Sequence, residues 1–435
     1  MSKIKARSIS GVPEWLPAER RIEQAWMDRL RALFERFAYL PVETSSIELL
    51  EVLRSKGEID KEIYTLTKPQ ADTDPDYGLH YDLTVPFARY VVQNYGSLSF
   101  PFRRYQMQKI WRGERPQRGR YREFYQCDID VIDNDSLSPY FDFEVLYLGS
   151  LAMAALDLPP FVIGVSNRKI YEGYLEALGV GETPPVLRIL DKKDKVGEDG
   201  VRKMLRDDLG LSNEVIEKAL LPAAIASDDL SFAERFRALG VRSEKAEQGI
   251  AELEEVMRLF FDAGGRNAMV DLSFVRGLDY YTGIIFEGHF TENPGLGSVC
   301  SGGRYDNLAE RFTNRHLPGV GFSIGLSRIF GMMVEEQRLP LDASPPVEAI
   351  VLRTRPDDLP QVFRVAQALR SKGLRVEVYS DPAKLGKQFK YAGRNNIPWV
   401  WVASEADPNQ FEVKNMRTGE QAKADPEAWS PPAAG

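Results

Sequence analysis

Lys109-Ile-Trp-Arg-Gly-Glu-Arg-Pro-Gln-Arg-Gly-Arg-Tyr-Arg-Glu-Phe-Tyr-Gln-Cys-Asp-Ile-Asp130 is the stretch on which the reading of the fold turns. It reads as two strands joined by a loop dense in arginine and glycine, and so as a hairpin of an antiparallel sheet. An arginine at a strand end is a good phosphate ligand, because its planar fork bonds two oxygens at once. The plainer alternative is a solvated basic hairpin. Downstream, Phe124, Gln126, Asp128 and Asp130 alternate and therefore share one face of an extended strand. An amide and two carboxylates beside a basic hairpin point to a substrate pocket rather than to open surface.

Working outward, charge is unevenly spread. The chain carries a net charge of -8, yet residues 102–125 are net +6 and residues 346–435 net +2. A polyanion is steered to these two regions and repelled elsewhere. Residues 18–38 have helical periodicity, and Pro17 lies near the helix start. Short aromatic strands follow from Tyr77, and His80-Tyr-Asp-Leu-Thr84 is expected to place Asp82 and Thr84 on one strand face. A helix is expected over 142–156.

Residues 170–265 are helix-rich, charged and low in aromatics, as expected of a helical insertion. Strand texture resumes at Met269. A proline-rich linker over 339–347 marks a boundary. Alternating strands and helices then predict a small α/β domain with parallel pairing. In it Lys384, Lys387, Lys390 and Arg394 recur at three or four residues and form a basic helix face.

Composition excludes several classes. With 435 residues, 43% hydrophobic and 28% charged, the chain is globular, of about three domains, and neither disordered nor fibrous. Two cysteines cannot build a secreted disulfide framework, so a reducing cytosolic compartment is expected. Those cysteines and the three histidines lack the spacing of a tetrahedral metal site. No targeting segment is expected, since no apolar run follows the basic start. The longest apolar window, 146–165, is broken as a membrane span by Asp157 and Pro159-Pro160.

Arg112-Gly-Glu-Arg-Pro-Gln-Arg-Gly-Arg-Tyr-Arg-Glu-Phe124 resembles the second signature of class II aminoacyl-tRNA synthetases. Pro318-Gly-Val-Gly-Phe-Ser-Ile-Gly-Leu-Ser-Arg-Ile-Phe330 resembles the third, a strand running into a helix with Arg328 in its first turns. Arg276-Gly-Leu-Asp-Tyr-Tyr-Thr-Gly283 and Ser301-Gly-Gly-Arg-Tyr-Asp-Asn-Leu308 are similar to segments special to the histidyl-tRNA synthetase family. The chain departs from that pattern at Ser45, where proline is expected in the first signature. It departs again at Asp82 (many bacterial members carry glutamate), at Ser301 (usually alanine) and at Ser327 (usually acidic).

The resemblance implies an α+β catalytic domain, its antiparallel sheet flanked by helices, over 1–169 and 266–338. The helical insertion would cover 170–265 and an α/β anticodon-binding domain 346–430. It implies histidine–tRNA ligation in the cytoplasm by a homodimer, with L-histidine, ATP and tRNA(His) as partners, Mg²⁺ accompanying ATP, and no membrane. Asp82 and Thr84 would hold the α-ammonium, with Gln126 helping to hold the amino-acid backbone. Asp130 and Tyr281, next to Tyr280, would bracket the imidazole. Arg112 would grip the α-phosphate, Arg328 would lie against adenine and the distal phosphates, and Arg276 would contact the α-phosphate and the amino-acid carboxylate. Glu114 and the loop to Arg120 would close over ATP and meet the tRNA acceptor end. Two alternatives stand beside this reading. One is a catalytically dead, histidine-sensing regulatory paralogue. The other is a synthetase for proline, threonine or glycine sharing the C-terminal domain.

Overall fold

A computed structural model of the chain describes residues 4–56, 61–68, 74–274, 281–341, 346–404, 407 and 410–432. Contacts divide the chain into two compact units, Met1–Glu14 with Trp26–Glu336, and Trp15–Ala25 with Gln337–Gly435.

Helix α1 (Pro17–Arg36) begins at a proline, whose missing N–H costs nothing in a first turn. Trp26, Leu30 and Phe34, four residues apart, form a buried stripe along it. In the first unit the chain continues through β1 (Leu40–Pro41), β2 (Ile47–Leu49), α2 (Leu50–Leu53), β3 (Thr65–Leu66), β4 (Tyr77–Leu79) and α3 (Thr84–Gln93). The long hairpin β5 (Phe102–Trp111) and β6 (Glu123–Ile132) comes next, then α4 (Tyr140–Ala154) and β7 (Phe161–Asn167). Helices α5 (Arg168–Ala177), α6 (Thr183–Leu190), α7 (Lys193–Asp207) and α8 (Asn213–Leu220) precede β8 (Ala226–Ser227), α9 (Phe232–Arg237) and α10 (Glu244–Asp262). The unit ends with β9 (Ala268–Asp271), β10 (Ile284–Phe290), β11 (Cys300–Tyr305), β12 (Gly319–Ile324) and α11 (Leu326–Glu335).

One nine-stranded sheet, in the order β1-β5-β6-β12-β11-β10-β7-β9-β8, organises this unit. Its pairs are antiparallel except β1 with β5 and β7 with β9. Cys127, Ile129 and Val131 alternate with the polar residues of β6 and are buried on its other face. Helices α4 and α11 pack against β6. Helices α5 to α8 share their own apolar core around Leu175, Val201 and Ile216. Yet β8 and α10, from the same stretch, join the sheet and pack on β7.

The segment 80–84 differs from the expected strand. Pairing stops at Leu79, and Thr84 opens α3, with Pro86 in the first turn where proline suits a helix. Asp82 accepts a hydrogen bond from the Val85 N–H at 3.2 Å, so the carboxylate serves a helix start and not a strand face.

The second unit holds β13 (Ala349–Val351), α12 (Leu359–Ser371), β14 (Val376–Val378), α13 (Leu385–Arg394), β15 (Trp399–Ala403), β16 (Phe411–Asn415) and β17 (Gln421–Lys423). β13 pairs in parallel with β14 and β15, as alternation predicts, but β16 and β17 extend the sheet antiparallel. Among the described residues no helix lies between β15, β16 and β17, in keeping with their antiparallel pairing.

Candidate active site

The long hairpin brings its alternating face to two adjoining cavities. The larger, about 220 Å³, is lined by Arg112, Arg120, Arg328, Phe124, Glu114 and Gln126 among others. The smaller, about 70 Å³, is lined by Asp82, Thr84, Asp128, Asp130, Tyr281 and Tyr305 among others. Arg112, Gln126, Ser301 and Ser323 line both.

The larger cavity is cationic. Arg112 lies just past the end of β5, where its Nε donates to the Tyr81 carbonyl at 3.1 Å. Its guanidinium stands 5.4 Å from the Phe124 ring. Arg328, in the first turn of α11, donates to the Ser298 carbonyl. Burial first, and then the nearby Arg120 and Arg112, push its pKa down to about 10, although Glu114 opposes them. Three cations gathered on one partly dry cavity repel one another, and an anion between them relieves that cost. Glu114 pairs with Arg120 at 3.3 Å, so the loop's one lining acid is already engaged with a cation.

The smaller cavity is lined with carboxylates. Asp130 accepts from the Tyr305 hydroxyl at 2.7 Å and pairs with Arg104 at 2.6 Å. Arg104 is 0% exposed and lies 4.3 Å from the Phe87 ring centre. It also donates to Gln106 at 3.0 Å. Burial, with Asp130 beside it, holds the Tyr305 phenol well above its usual range, so it stays protonated. Burial pushes the Asp128 carboxyl up to about 7, against the pull of Arg104. Gly321 makes room for Asp130: a Cβ there would fall 2.1 Å from its Oδ1. The same holds for Gly302, where a Cβ would meet the Gly321 carbonyl at 2.2 Å. The paired glycines therefore act through close strand approach rather than positive φ.

Of the residues singled out from sequence, Asp82, Thr84, Gln126, Asp130, Tyr281, Arg112, Glu114 and Arg328 all line one cavity or both. Arg276 and Tyr280 lie outside the described residues. Sequence reasoning missed Tyr305 and Arg104. Tyr305 stood in a quoted motif without a role, and Arg104 counted only toward hairpin charge. Arg304, in the same motif as Tyr305, turns from the cavities to pair with Asp142 at 2.7 Å. Among the described residues no cluster of His, Cys, Asp or Glu is arranged to hold a metal ion.

Residues 11–329 match the family model described as histidyl-tRNA synthetase, and residues 349–429 match the anticodon binding domain model. The chain is 45% identical to the histidine–tRNA ligase of Thermobifida fusca, over 98% of each chain. It is 46% identical to that of Micrococcus luteus, over 98% of this chain and 96% of the relative. The crystal structure of histidyl-tRNA synthetase from Nostoc sp. PCC 7120 superposes with a TM-score of 0.85 at 33% identity, covering 97% of both chains.

Proposed function

The chain belongs to the histidyl-tRNA synthetase family, and from that premise we propose how its two cavities divide the work. It is an ATP-dependent histidine–tRNA ligase. The larger cavity takes ATP. Arg112 meets the α-phosphate, and Arg328 and the Phe124 face hold the base and distal phosphates. The smaller cavity takes histidine. Asp82, Thr84 and Gln126 receive the α-ammonium, while Asp130 and Tyr281 flank the imidazole. Asp130 has two oxygens and about four acceptor sites, so its bonds to Tyr305 and Arg104 leave capacity for a ring N–H. Arg276 and Tyr280 keep the roles that the resemblance implies, next to the α-phosphate and the ring.

A histidine carboxylate oxygen attacks the α-phosphorus, the bond to the β-phosphate breaks, and diphosphate leaves. Charge accumulates on the pentacoordinate phosphorus, and guanidiniums already in place stabilise it without reorganising. The terminal ribose of tRNA(His) then takes the acyl group and AMP departs. No protein nucleophile is required. Mg²⁺ would be held mainly by the phosphates, with Glu114 the carboxylate nearest at hand, and would supply charge neutralisation there.

The reading rests on one observation: a three-arginine cavity opens onto a carboxylate-lined pocket through the shared Arg112 and Gln126. An ATP–diphosphate exchange assay with a panel of amino acids tests it. Exchange with histidine alone is expected. Exchange with none would favour the regulatory paralogue, and exchange with another amino acid would name a different synthetase.

Residues 346–430 are proposed as the anticodon-reading domain, with 1–169 and 266–338 as the catalytic domain and 170–265 as the insertion. A homodimer in the cytoplasm completes the proposal. Its support is the exposed apolar group Leu40, Ile47, Leu49 and Tyr77 on the short strands β1, β2 and β4. No described helix is long and apolar enough to cross a membrane.

A further inference from the structure

We infer that Asp128, in the middle of β6, is a direct ligand of the substrate's α-ammonium and completes an acceptor cradle with Gln126 and Asp82. The inference deepens the histidine-binding role given to the smaller cavity and rests on it.

Three observations carry it. Asp128 is 2% exposed and lines the cavity, yet its Oδ1 has no hydrogen-bond partner. The Gln126 Oε1 is likewise buried without a partner. Between them, Ser323 on β12, the cross-strand neighbour of Asp128, accepts from the Gln126 amide and so turns the Gln126 oxygen away from itself. The polar atoms left over are acceptors. An unsatisfied buried acceptor is costly, and an ammonium, with three donors and no acceptor, matches the set. A hydroxyl or an imidazole N–H would satisfy only one of them.

The charges around Asp128 come from several elements. Arg104 on β5 favours its ionised form, as does Ser323 on β12. Asp130 on its own strand and Asp82 before α3 oppose it, and burial opposes it most. With a pKa of about 7, Asp128 is protonated in roughly half of the empty pockets at neutral pH. An arriving cation needs the carboxylate, so binding expels a proton. Affinity therefore rises with pH up to about 7 and levels off above it, where the free carboxyl is already ionised.

The test compares wild type with Asp128→Asn in histidine-dependent exchange. The variant should raise the KM for histidine by about 10- to 100-fold, leave the KM for ATP within about twofold, and flatten the pH profile. Histidinol, which keeps the ammonium, should lose affinity likewise. Imidazolepropionate, which lacks the ammonium, should bind both proteins alike. Equal histidinol binding, with wild type still exchanging histidine, overturns the role of Asp128 and leaves the synthetase reading intact. Absence of exchange by wild type overturns that reading and this inference with it.

A second measurement reads the proton directly. Calorimetry of histidinol binding near neutral pH in two buffers should show wild type releasing more protons than Asp128→Asn. Equal release by the two proteins also overturns the inference.

Discussion

The two cavities share one arginine and three strands, yet they handle buried charge in opposite ways. In the larger, Arg112, Arg120 and Arg328 converge with Glu114 as the lining acid. Glu114 offsets part of their repulsion, and an anion would relieve the rest. In the smaller, three carboxylates meet, and two of them are settled by the protein itself. Asp130 is paired with Arg104 and Tyr305, and Asp82 serves the start of α3. One cavity is thus built for polyvalent charge and the other for a small ligand with few, well-placed donors. A phosphate chain brings its own concentrated charge, whereas an amino acid must be recognised group by group.

The contrast breaks most visibly at Arg112. Arg112→Ala should lower kcat/KM for diphosphate exchange by about 100- to 1,000-fold with the fold intact, because a fixed cation at the reacting phosphorus is lost. A loss below tenfold would show that the larger cavity does not work through this residue. Arg104→Met tests the opposite strategy. It strands Asp130 in a buried site, and chemical denaturation should show a stability loss of about 3 kcal/mol or more. An unchanged unfolding midpoint would mean that the pair contributes nothing.

Tyr305→Phe is gentler. It removes one hydrogen bond to Asp130, and the KM for histidine should rise about 5- to 10-fold, with the KM for ATP unmoved. Equal changes in both constants would contradict the division of labour. The smallest expected effect per residue lies on α13, whose cations are solvated rather than buried. Lys384, Lys387, Lys390 and Arg394 are all exposed. Replacing all four by Gln should leave exchange untouched, weaken tRNA binding, and make its salt dependence shallower by roughly one log unit per lost phosphate contact. An unchanged salt slope would remove this helix from the tRNA surface.

These residues also show where reading the chain succeeded and where it stopped. Phe124, Gln126, Asp128 and Asp130 could be placed on one face because strand alternation is a local rule with a period of two. Arg103 and Arg104 are adjacent, so alternation puts them on opposite faces, but no local rule says which face is buried. Arg103 pairs with Glu144 and stays partly exposed, while Arg104 is wholly buried under Asp130. Segment 80–84 was misjudged because a short polar run beside aromatics suits a strand as well as a helix start. Pro86 was the available signal for the helix.

The signature segments carried the resemblance to the family, and alternation was enough for the antiparallel hairpin and the C-terminal α/β pattern. All of these are encoded in neighbouring residues. Which carboxylates are paired, which one has its pKa raised by burial, and which arginine serves the interior depended on strands distant in sequence coming together. Burial and Coulomb energy are set by the neighbours a group acquires in three dimensions, and alternation along one strand cannot name those neighbours.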